Sequence, residues 1–164
     1  KVRSREYTDS GLSFLEVKHK TCKGRTIKDR ITTPLPVTRI TQQAEDWLSG
    51  IFPYESETLE PKIWNTFTRI TLVSKQLDER LTLDIDLTFY TSNLTAHMDK
   101  LAIAEVKMDA VRGDSPFMAQ MNAQKVRPRG FSKYCIGVSL LYDQVKKNAL
   151  KPKLLWIDRI TQGA

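Results

Sequence analysis

The chain has 164 residues, of which 40% are hydrophobic and 27% are charged, and this length is enough for one domain with a substantial core. No apolar run approaches the roughly 20 residues that span a bilayer, and the first residues do not resemble a signal peptide, so a cytoplasmic protein is expected. The formal net charge of +7 favours an anionic partner: nucleic acid, a phosphate compound or an acidic membrane.

The beginning of the chain alternates between polar and apolar residues with a period of two, which is typical of β-strands. Strands are predicted at residues 1–7, 12–20 and 25–31. Turn residues at 9–11 and 23–24 separate them, so neighbouring strands are expected to pair antiparallel. On the first strand, Arg3 and Arg5 share one face.

The second predicted strand contains the run FLEVKHK and sets a charged face against an apolar one. One face carries Phe14, Glu16, Lys18 and Lys20, and the other carries Leu15, Val17 and His19. The tripeptide Glu-Val-Lys recurs later in the chain, again with Glu105 and Lys107 on one face. A single strand usually exposes such a face to water. The repetition instead predicts a polar surface shared by several strands.

The middle of the chain predicts one helix and three further strands. The helix is amphipathic, covers residues 38–48 and is expected to end at Gly50. Residues 51–62 are predicted as a loop or a short helix. The further strands are predicted at residues 64–74, 80–90 and 101–108, with a polar loop containing His97 before the last of them.

The strand at residues 80–90 has the longest regular alternation in the sequence. One predicted face carries Arg80, Thr82, Asp84, Asp86 and Thr88, and the other carries Leu81, Leu83, Ile85, Leu87 and Phe89. The pattern therefore predicts that all the apolar residues of this strand lie on one side of the sheet.

After the last predicted strand the period becomes 3.6, which is typical of helices. Ser115 is a predicted N-cap with Pro116 in the first turn, for a helix at residues 117–125. A connector is predicted at residues 131–134 and a second helix at residues 137–149. The apolar tail at residues 154–160 is expected to pack back on the protein, and its type is left open.

The polar faces of the predicted strands allow two arrangements. In the first, an open sheet leaves these faces in solvent and helices cover the apolar side. In the second, the sheet closes into a barrel whose polar faces point inward. A barrel lined by arginine, lysine and glutamate requires water and a highly charged ligand, and the excess of basic residues predicts an anionic one.

Other types of site have weaker support in the sequence. The chain contains no GxxxxGK[ST] loop and no GxGxxG motif. The two histidines and the two cysteines lack zinc-ligand spacing, and two cysteines do not form a disulfide framework. Nucleic-acid binding is disfavoured because the basic residues alternate with carboxylates and few aromatic residues share their faces.

The ordered runs KVRSREY, FLEVKHK, KGRTIKDRI, FTRITL, ERLTLDIDL, LAIAEVK and FSKY resemble the vacuolar transporter chaperone (VTC) domain, and bacterial members most closely. This family belongs to the triphosphate tunnel superfamily, alongside CYTH-type phosphatases. The resemblance covers essentially the whole chain and implies a single domain over residues 1–164. It implies an α+β fold, an antiparallel eight-stranded β-barrel with helices packed outside. Family members begin with two further strands, so the domain is expected to be incomplete at its N-terminus.

The resemblance also implies a function in polyphosphate chemistry. The expected activity is a metal-dependent phosphotransferase that uses a nucleoside triphosphate to extend inorganic polyphosphate inside the tunnel, with Mn2+ or Mg2+ as the metal. The alternatives are a tripolyphosphate or nucleoside triphosphate hydrolase and a non-catalytic polyphosphate-binding module. The expected partners are a nucleoside triphosphate and polyphosphate, and nucleic acid is not expected.

The family motifs assign roles to individual residues, because arginine binds phosphate oxygens bidentately and lysine binds them as a point charge. The implied phosphate ligands are Arg3, Arg5, Lys18, Lys20, Arg69, Arg80 and Lys133. The implied catalytic set contains these residues except Lys20, together with Lys107. Glu105 is the implied metal ligand. No general base is expected, because a phosphate acceptor is already anionic.

Overall fold

The chain forms two compact units, an N-terminal unit of residues 1–62 and a C-terminal unit of residues 63–164. The structure is a computed structural model that describes residues 1–23, 25–75, 78–108 and 115–162. Gly24, in the second predicted turn, lies outside the described residues.

The N-terminal unit contains three strands, one α-helix and a single turn of 3-10 helix. These are β1 (Val2–Tyr7), β2 (Leu12–Lys20), β3 (Thr26–Thr33), α1 (Gln42–Ser49) and the short helix Ser56–Thr58. The three strands confirm the prediction to within two residues at each end. The helix begins later than predicted because Thr41 is its N-cap: the Thr41 Oγ1 accepts a hydrogen bond from the Ala44 backbone nitrogen at 3.4 Å.

The sheet of the N-terminal unit has the order β1-β2-β3, with antiparallel pairing throughout. Leu15 and Val17 on the central strand are each only 2% exposed. They form a core cluster with Ala44 and Leu48 of α1. The predicted alternation of β2 is therefore confirmed, since its apolar face lies under the helix and its charged face points the other way.

The C-terminal unit contains four strands and three helices. These are β4 (Trp64–Val73), β5 (Glu79–Tyr90), β6 (Thr95–Met98), β7 (Ile103–Met108), α2 (Pro116–Ala123), α3 (Lys133–Leu141) and α4 (Lys151–Gln162). Strand β4 pairs with one edge of β5, while β7 and β6 pair with the first and second halves of its other edge. The prediction of six strands is wrong, because β6 lies in the segment that was predicted to be a polar loop.

A β-bulge in β5 changes which residues share a face. Thr66 pairs with Thr88 but Thr68 pairs with Ile85, so β5 has one extra residue at this point. Asp86 lies there with a φ of 55°. The predicted placement of Leu87 and Phe89 is consequently wrong: from the bulge onward they lie on the same side of the sheet as Asp84.

Helix α3 packs on the part of the β5 face that the bulge has made apolar. Ile136 on α3 and Phe89 on β5 belong to one core cluster, and both are 0% exposed. The helix begins at Lys133, earlier than the predicted start, because Ser132 is its N-cap and accepts a hydrogen bond from the Cys135 backbone nitrogen at 3.3 Å. It ends at Leu141, so the predicted helix at residues 137–149 is displaced along the chain.

The fold class is α+β, with two antiparallel sheets and four α-helices among the described residues. Helix α2 confirms its prediction to within two residues, and the apolar tail is the helix α4. No closed barrel is found in the part of the chain that the structure describes, so the eight-stranded tunnel stays a prediction. No helix in that part is long and apolar enough to cross a membrane.

Candidate anion-binding site

One face of the N-terminal sheet gathers five basic side chains around a single carboxylate. The antiparallel register places Glu16 opposite both Arg3 and Arg30, and it places Lys18 opposite Lys28. Residues that lie directly opposite each other in a sheet project to the same side. We call this surface the N-terminal charged face, and it consists of Arg3, Arg5, Glu16, Lys18, Lys28 and Arg30.

Glu16 is the buried centre of this face, with only 1% of its surface exposed. The Arg3 Nε donates a hydrogen bond to the Glu16 Oε2 at 3.0 Å, and the Arg3 Nη2 donates to the same oxygen. The Lys28 Nζ lies 2.9 Å from the Oε1 and forms an ion pair with it. This oxygen therefore has an ionic partner, and the carboxylate keeps two cations in place.

The charge of Glu16 is maintained by these partners. Burial acts to raise the pKa of the Glu16 carboxyl, but the hydrogen bonds from Lys28 and Arg3 outweigh it and lower the pKa to about 2. Glu16 is therefore ionised at any physiological pH.

Lys18 differs from its neighbours because its ammonium group has no ion pair within the described segments. Burial lowers the pKa of Lys18, and the nearby charges of Arg3, Lys28 and Arg5 lower it further against the opposing effect of Glu16. A half-buried lysine among other cations is electrostatically unfavourable on its own. A bound anion beside Lys18 would offset this cost.

Lys20 continues the same face of β2, where it pairs with Thr26. It is exposed at the end of the strand. The structure thus brings four of the predicted phosphate ligands to one surface: Arg3, Arg5, Lys18 and, at its margin, Lys20.

A second group of charges lies in the C-terminal unit and is centred on Asp84, which is 3% exposed. Arg69 binds this carboxylate bidentately, with its Nε 2.6 Å from the Oδ1 and its Nη2 2.7 Å from the Oδ2. The Lys133 Nζ also donates to the Oδ2. Burial acts to raise the pKa of Asp84, but the hydrogen bonds from Arg69 and Lys133 lower it overall. Arg69 and Lys133, which are both predicted phosphate ligands, therefore contact the same carboxylate.

The aromatic ring of Phe67 forms cation–π contacts with the same two cations. The Lys133 Nζ lies 4.3 Å from the ring centroid, and the Arg69 guanidinium carbon lies 5.2 Å from it. Cations at such distances are attracted by the ring electrons. Lys133 reaches this position because the Ser132 cap makes it the first residue of α3.

The remaining predicted residues lie further along the same face of β5 and β7. Arg80 pairs with Lys107, and Thr82 pairs with Glu105. The Lys107 Nζ is 3.4 Å from the Glu105 Oε1, and about half of each side chain is exposed (49% and 54%). Such an exposed ion pair contributes little stability. We call this surface the C-terminal charged face, and it consists of Arg69, Arg80, Asp84, Glu105, Lys107 and Lys133.

The described residues contain no group of three or more acidic, histidine or cysteine side chains placed to hold a metal ion. Glu105 is an accessible carboxylate on the C-terminal charged face, whereas Asp84 is engaged by Arg69 and Lys133. Mg2+ is commonly held by one or two carboxylates together with substrate phosphates and water. A metal held at this face would have Glu105 as its protein ligand and would take its other ligands from phosphate oxygens and water.

The sequence does not assign Lys28 and Arg30 to a site, and it places Glu16 and Asp84 only on the polar faces of their strands. The alternation of β3 already placed Lys28 and Arg30 on one side of that strand. The missing information was the register with β2, which puts this side next to Glu16.

Comparison with known families gives one match. The model of the family described as VTC domain matches residues 1–142. This range contains every residue of both charged faces and leaves α4 outside. The chain matches no curated protein and no solved structure.

Proposed function

Because the chain belongs to the VTC domain family, we propose that it is a metal-dependent phosphotransferase that extends inorganic polyphosphate with the terminal phosphate of a nucleoside triphosphate. Family membership indicates a role in polyphosphate metabolism, and the polymerase reaction is the more specific proposal. In this proposal the substrate lies in the eight-stranded tunnel expected for the family.

The observation that carries this proposal is the position of Lys18. It lies half-buried on the N-terminal charged face, beside three other cations and without an ion pair among the residues described. The one carboxylate of the face, Glu16, is already held by Arg3 and Lys28. The face therefore has an excess of positive charge that suits a ligand with several negative charges, such as a triphosphate.

The basic residues would act by position and charge. The transition state of phosphoryl transfer spreads negative charge over the non-bridging oxygens, and arginines and lysines that are already in place stabilise it without reorganisation. Glu16 orients Arg3 and Lys28, and Asp84 orients Arg69 and Lys133. The bond from the terminal phosphorus to the nucleotide breaks, a bond to the terminal oxygen of polyphosphate forms, and the nucleoside diphosphate leaves.

The proposed reaction also requires a divalent metal ion, Mn2+ or Mg2+. Glu105 would hold the ion, and when bound the ion would supply further charge neutralisation at the phosphate oxygens. Lys107, beside Glu105, would contribute to binding the same oxygens.

The proposal is tested by the affinity of inorganic tripolyphosphate, measured by calorimetry. Lys18→Met should weaken binding by roughly tenfold or more, because it removes a charge-assisted contact with a phosphate. It should not lower the free energy of unfolding, because it also removes a cation from a crowded face. Lys147→Met is the matched control, since Lys147 pairs with the exposed Asp143, which lies one turn earlier in the chain. Equal affinity of the wild type and Lys18→Met would contradict the proposal.

A non-catalytic polyphosphate-binding module is the second candidate. It is supported by the same excess of positive charge on the N-terminal charged face, which would bind a polyanion whether or not a phosphate is transferred. Such a module would bind polyphosphate tightly and leave ATP intact in the presence of Mn2+. A hydrolase would release orthophosphate and form no polymer.

A further inference from the structure

The N-terminal charged face ends in a pair of aromatic rings, Tyr7 and Phe14. Arg5 pairs with Phe14 across β1 and β2, and Tyr7 follows Arg5 by two residues on the same side of β1. The two ring centroids are 6.1 Å apart and the ring planes meet at 83°, which is an edge-to-face contact. Both rings therefore lie on the charged side of the sheet.

The neighbours of these rings are guanidinium groups. The Arg30 guanidinium carbon lies 4.8 Å from the Phe14 centroid, and that of Arg5 lies 5.3 Å from the Tyr7 centroid. The Arg5 Nη1 also donates a hydrogen bond to the Tyr7 hydroxyl at 2.5 Å. We call Tyr7 and Phe14, together with Arg5 and Arg30, the aromatic end of the face.

The aromatic end has no structural role in the core of its unit. The core cluster on the other side of the sheet is formed by Leu15, Val17 and their neighbours, and it does not include Tyr7 or Phe14 among the residues described. Tyr7 is 39% exposed, which is high for a tyrosine that stabilises a core. Proteins commonly stack bases on exposed aromatic side chains, and neighbouring arginines add cation–π contacts. This works with any base, because every base has an aromatic face.

The spacing to Lys18 suits one particular ligand. Phe14 precedes Lys18 by four residues on β2, which corresponds to about 13 Å along an extended strand. An extended nucleoside triphosphate has its base separated from its terminal phosphate by a ribose and two phosphates, which is a comparable length. A triphosphate bound at Lys18 can therefore place its base at the aromatic end.

We propose that the aromatic end of the N-terminal charged face is the nucleobase subsite, where the base of a nucleoside triphosphate stacks on the exposed ring of Tyr7, which Phe14 holds through their edge-to-face contact, while Lys18 binds its phosphates. This inference rests on the proposed function. It adds that the protein distinguishes a nucleotide from inorganic polyphosphate by stacking. Stacking on rings and guanidinium groups is tolerant of base identity, so adenine and guanine nucleotides should bind with similar affinity.

The test compares the affinities of ATP and inorganic tripolyphosphate by calorimetry, at one ionic strength and one Mn2+ concentration. Tyr7→Leu should weaken ATP binding by roughly tenfold, because a base stacked on an aromatic side chain contributes on this scale. Phe14→Leu should weaken it less, because Phe14 only holds the Tyr7 ring through their edge-to-face contact. The affinity for tripolyphosphate should change less than about twofold. Phe14→Tyr should retain the ATP affinity of the wild type, since it keeps the ring.

Tyr54→Leu is the matched control. Tyr54 is also an exposed tyrosine in an edge-to-face pair with a phenylalanine, Phe52, in the same unit, but it does not lie on the charged face. If Phe14→Leu fails to fold, as judged by circular dichroism, Tyr7→Leu carries the test alone, because its side chain is more exposed.

Each outcome bears on the inference. If Tyr7→Leu weakens ATP and tripolyphosphate equally, the rings have only a structural role and the inference is wrong. It is also wrong if Tyr7→Leu weakens neither ligand. Both of these results leave the proposed function standing. If the wild type binds neither ligand, the proposed function fails and the inference fails with it.

Discussion

Two buried carboxylates, one in each unit, position the cations of this protein. Glu16 binds Arg3 and Lys28, and Asp84 binds Arg69 and Lys133. In both cases the hydrogen bonds from the cations outweigh burial and keep the pKa of the carboxyl low. A long basic side chain that is already fixed loses less rotamer entropy when it binds an anion. We therefore assign Glu16 and Asp84 to positioning and not to catalysis.

The ionisation of Glu16 should make stability dependent on pH in an acidic window. Its pKa falls from an ordinary value of 4.5 to about 2 on folding, so the folded protein binds fewer protons between these values. The resulting stabilisation is complete above about pH 5 and is lost as the pH falls toward 2. Glu16→Gln should lower the free energy of unfolding by about 2 to 3 kcal/mol at neutral pH, with a difference from the wild type that shrinks below pH 4.

Urea unfolding of both proteins between pH 2 and pH 7 measures this dependence. Glu60→Gln is the control, because Glu60 forms an exposed pair with Lys62 in the same unit and its loss should cost little. A Glu16→Gln difference that stays constant from neutral to acidic pH would contradict the assignment of a low pKa to Glu16.

For single residues, the sequence predicts which side chains share a face of a strand better than it predicts which side chains form ion pairs. The alternation in β1 and β2 places Arg3, Arg5 and Lys18 on one side, and the register confirms this. The same alternation could not show that Glu16 is buried between Arg3 and Lys28. That depends on which residues of β1 and β3 lie opposite it, and strand patterns do not fix register.

Among the secondary-structure elements, α3 links the hydrophobic core of its unit to the C-terminal charged face. Its first residue, Lys133, reaches Asp84, and its buried side packs on Phe89. The close approach occurs at Gly137, where an added Cβ would lie 2.5 Å from the Phe89 Cδ1 and also too close to Ile63. A larger residue would require the helix or the side chains of Phe89 and Ile63 to move.

Gly137→Ala should therefore destabilise the C-terminal unit by about 1 to 3 kcal/mol, because the added methyl group overpacks the core. Gly130→Ala is the matched control, since no atom of the described residues lies within 4 Å of an added Cβ at that position. Urea unfolding monitored by circular dichroism measures both variants. If the two variants were equally stable, the packing of α3 on β5 would be wrong.

Three features of the secondary structure differ from the prediction: the bulge in β5, the strand β6 and the start of α3. The bulge at Asp86 could not be predicted, because the hydrophobic alternation of β5 is unbroken there and only the pairing with β4 reveals the extra residue. Strand β6 has four residues, too few for a pattern to distinguish it from a loop. Ser132 is the sequence signal for the start of α3, because serine is a preferred N-cap residue.

For the whole molecule, the strands of the two units carry the motifs of one family. The match to the VTC domain extends over residues 1–142, across both units. The α+β class and the antiparallel pairing were predictable from short turns and alternation, because these are local features. The eight-stranded tunnel was not, since the closure of a barrel depends on long-range pairing that local patterns do not specify.

The proposed reaction builds polyphosphate from a nucleoside triphosphate. The most direct measurement incubates the chain with ATP, Mn2+ and a short polyphosphate primer, then sizes the products on a gel and quantifies ADP and orthophosphate. The account predicts lengthened polyphosphate with matching release of ADP, and a rate at least about tenfold lower for Lys18→Met. Intact ATP, or release of orthophosphate without longer chains, would contradict it.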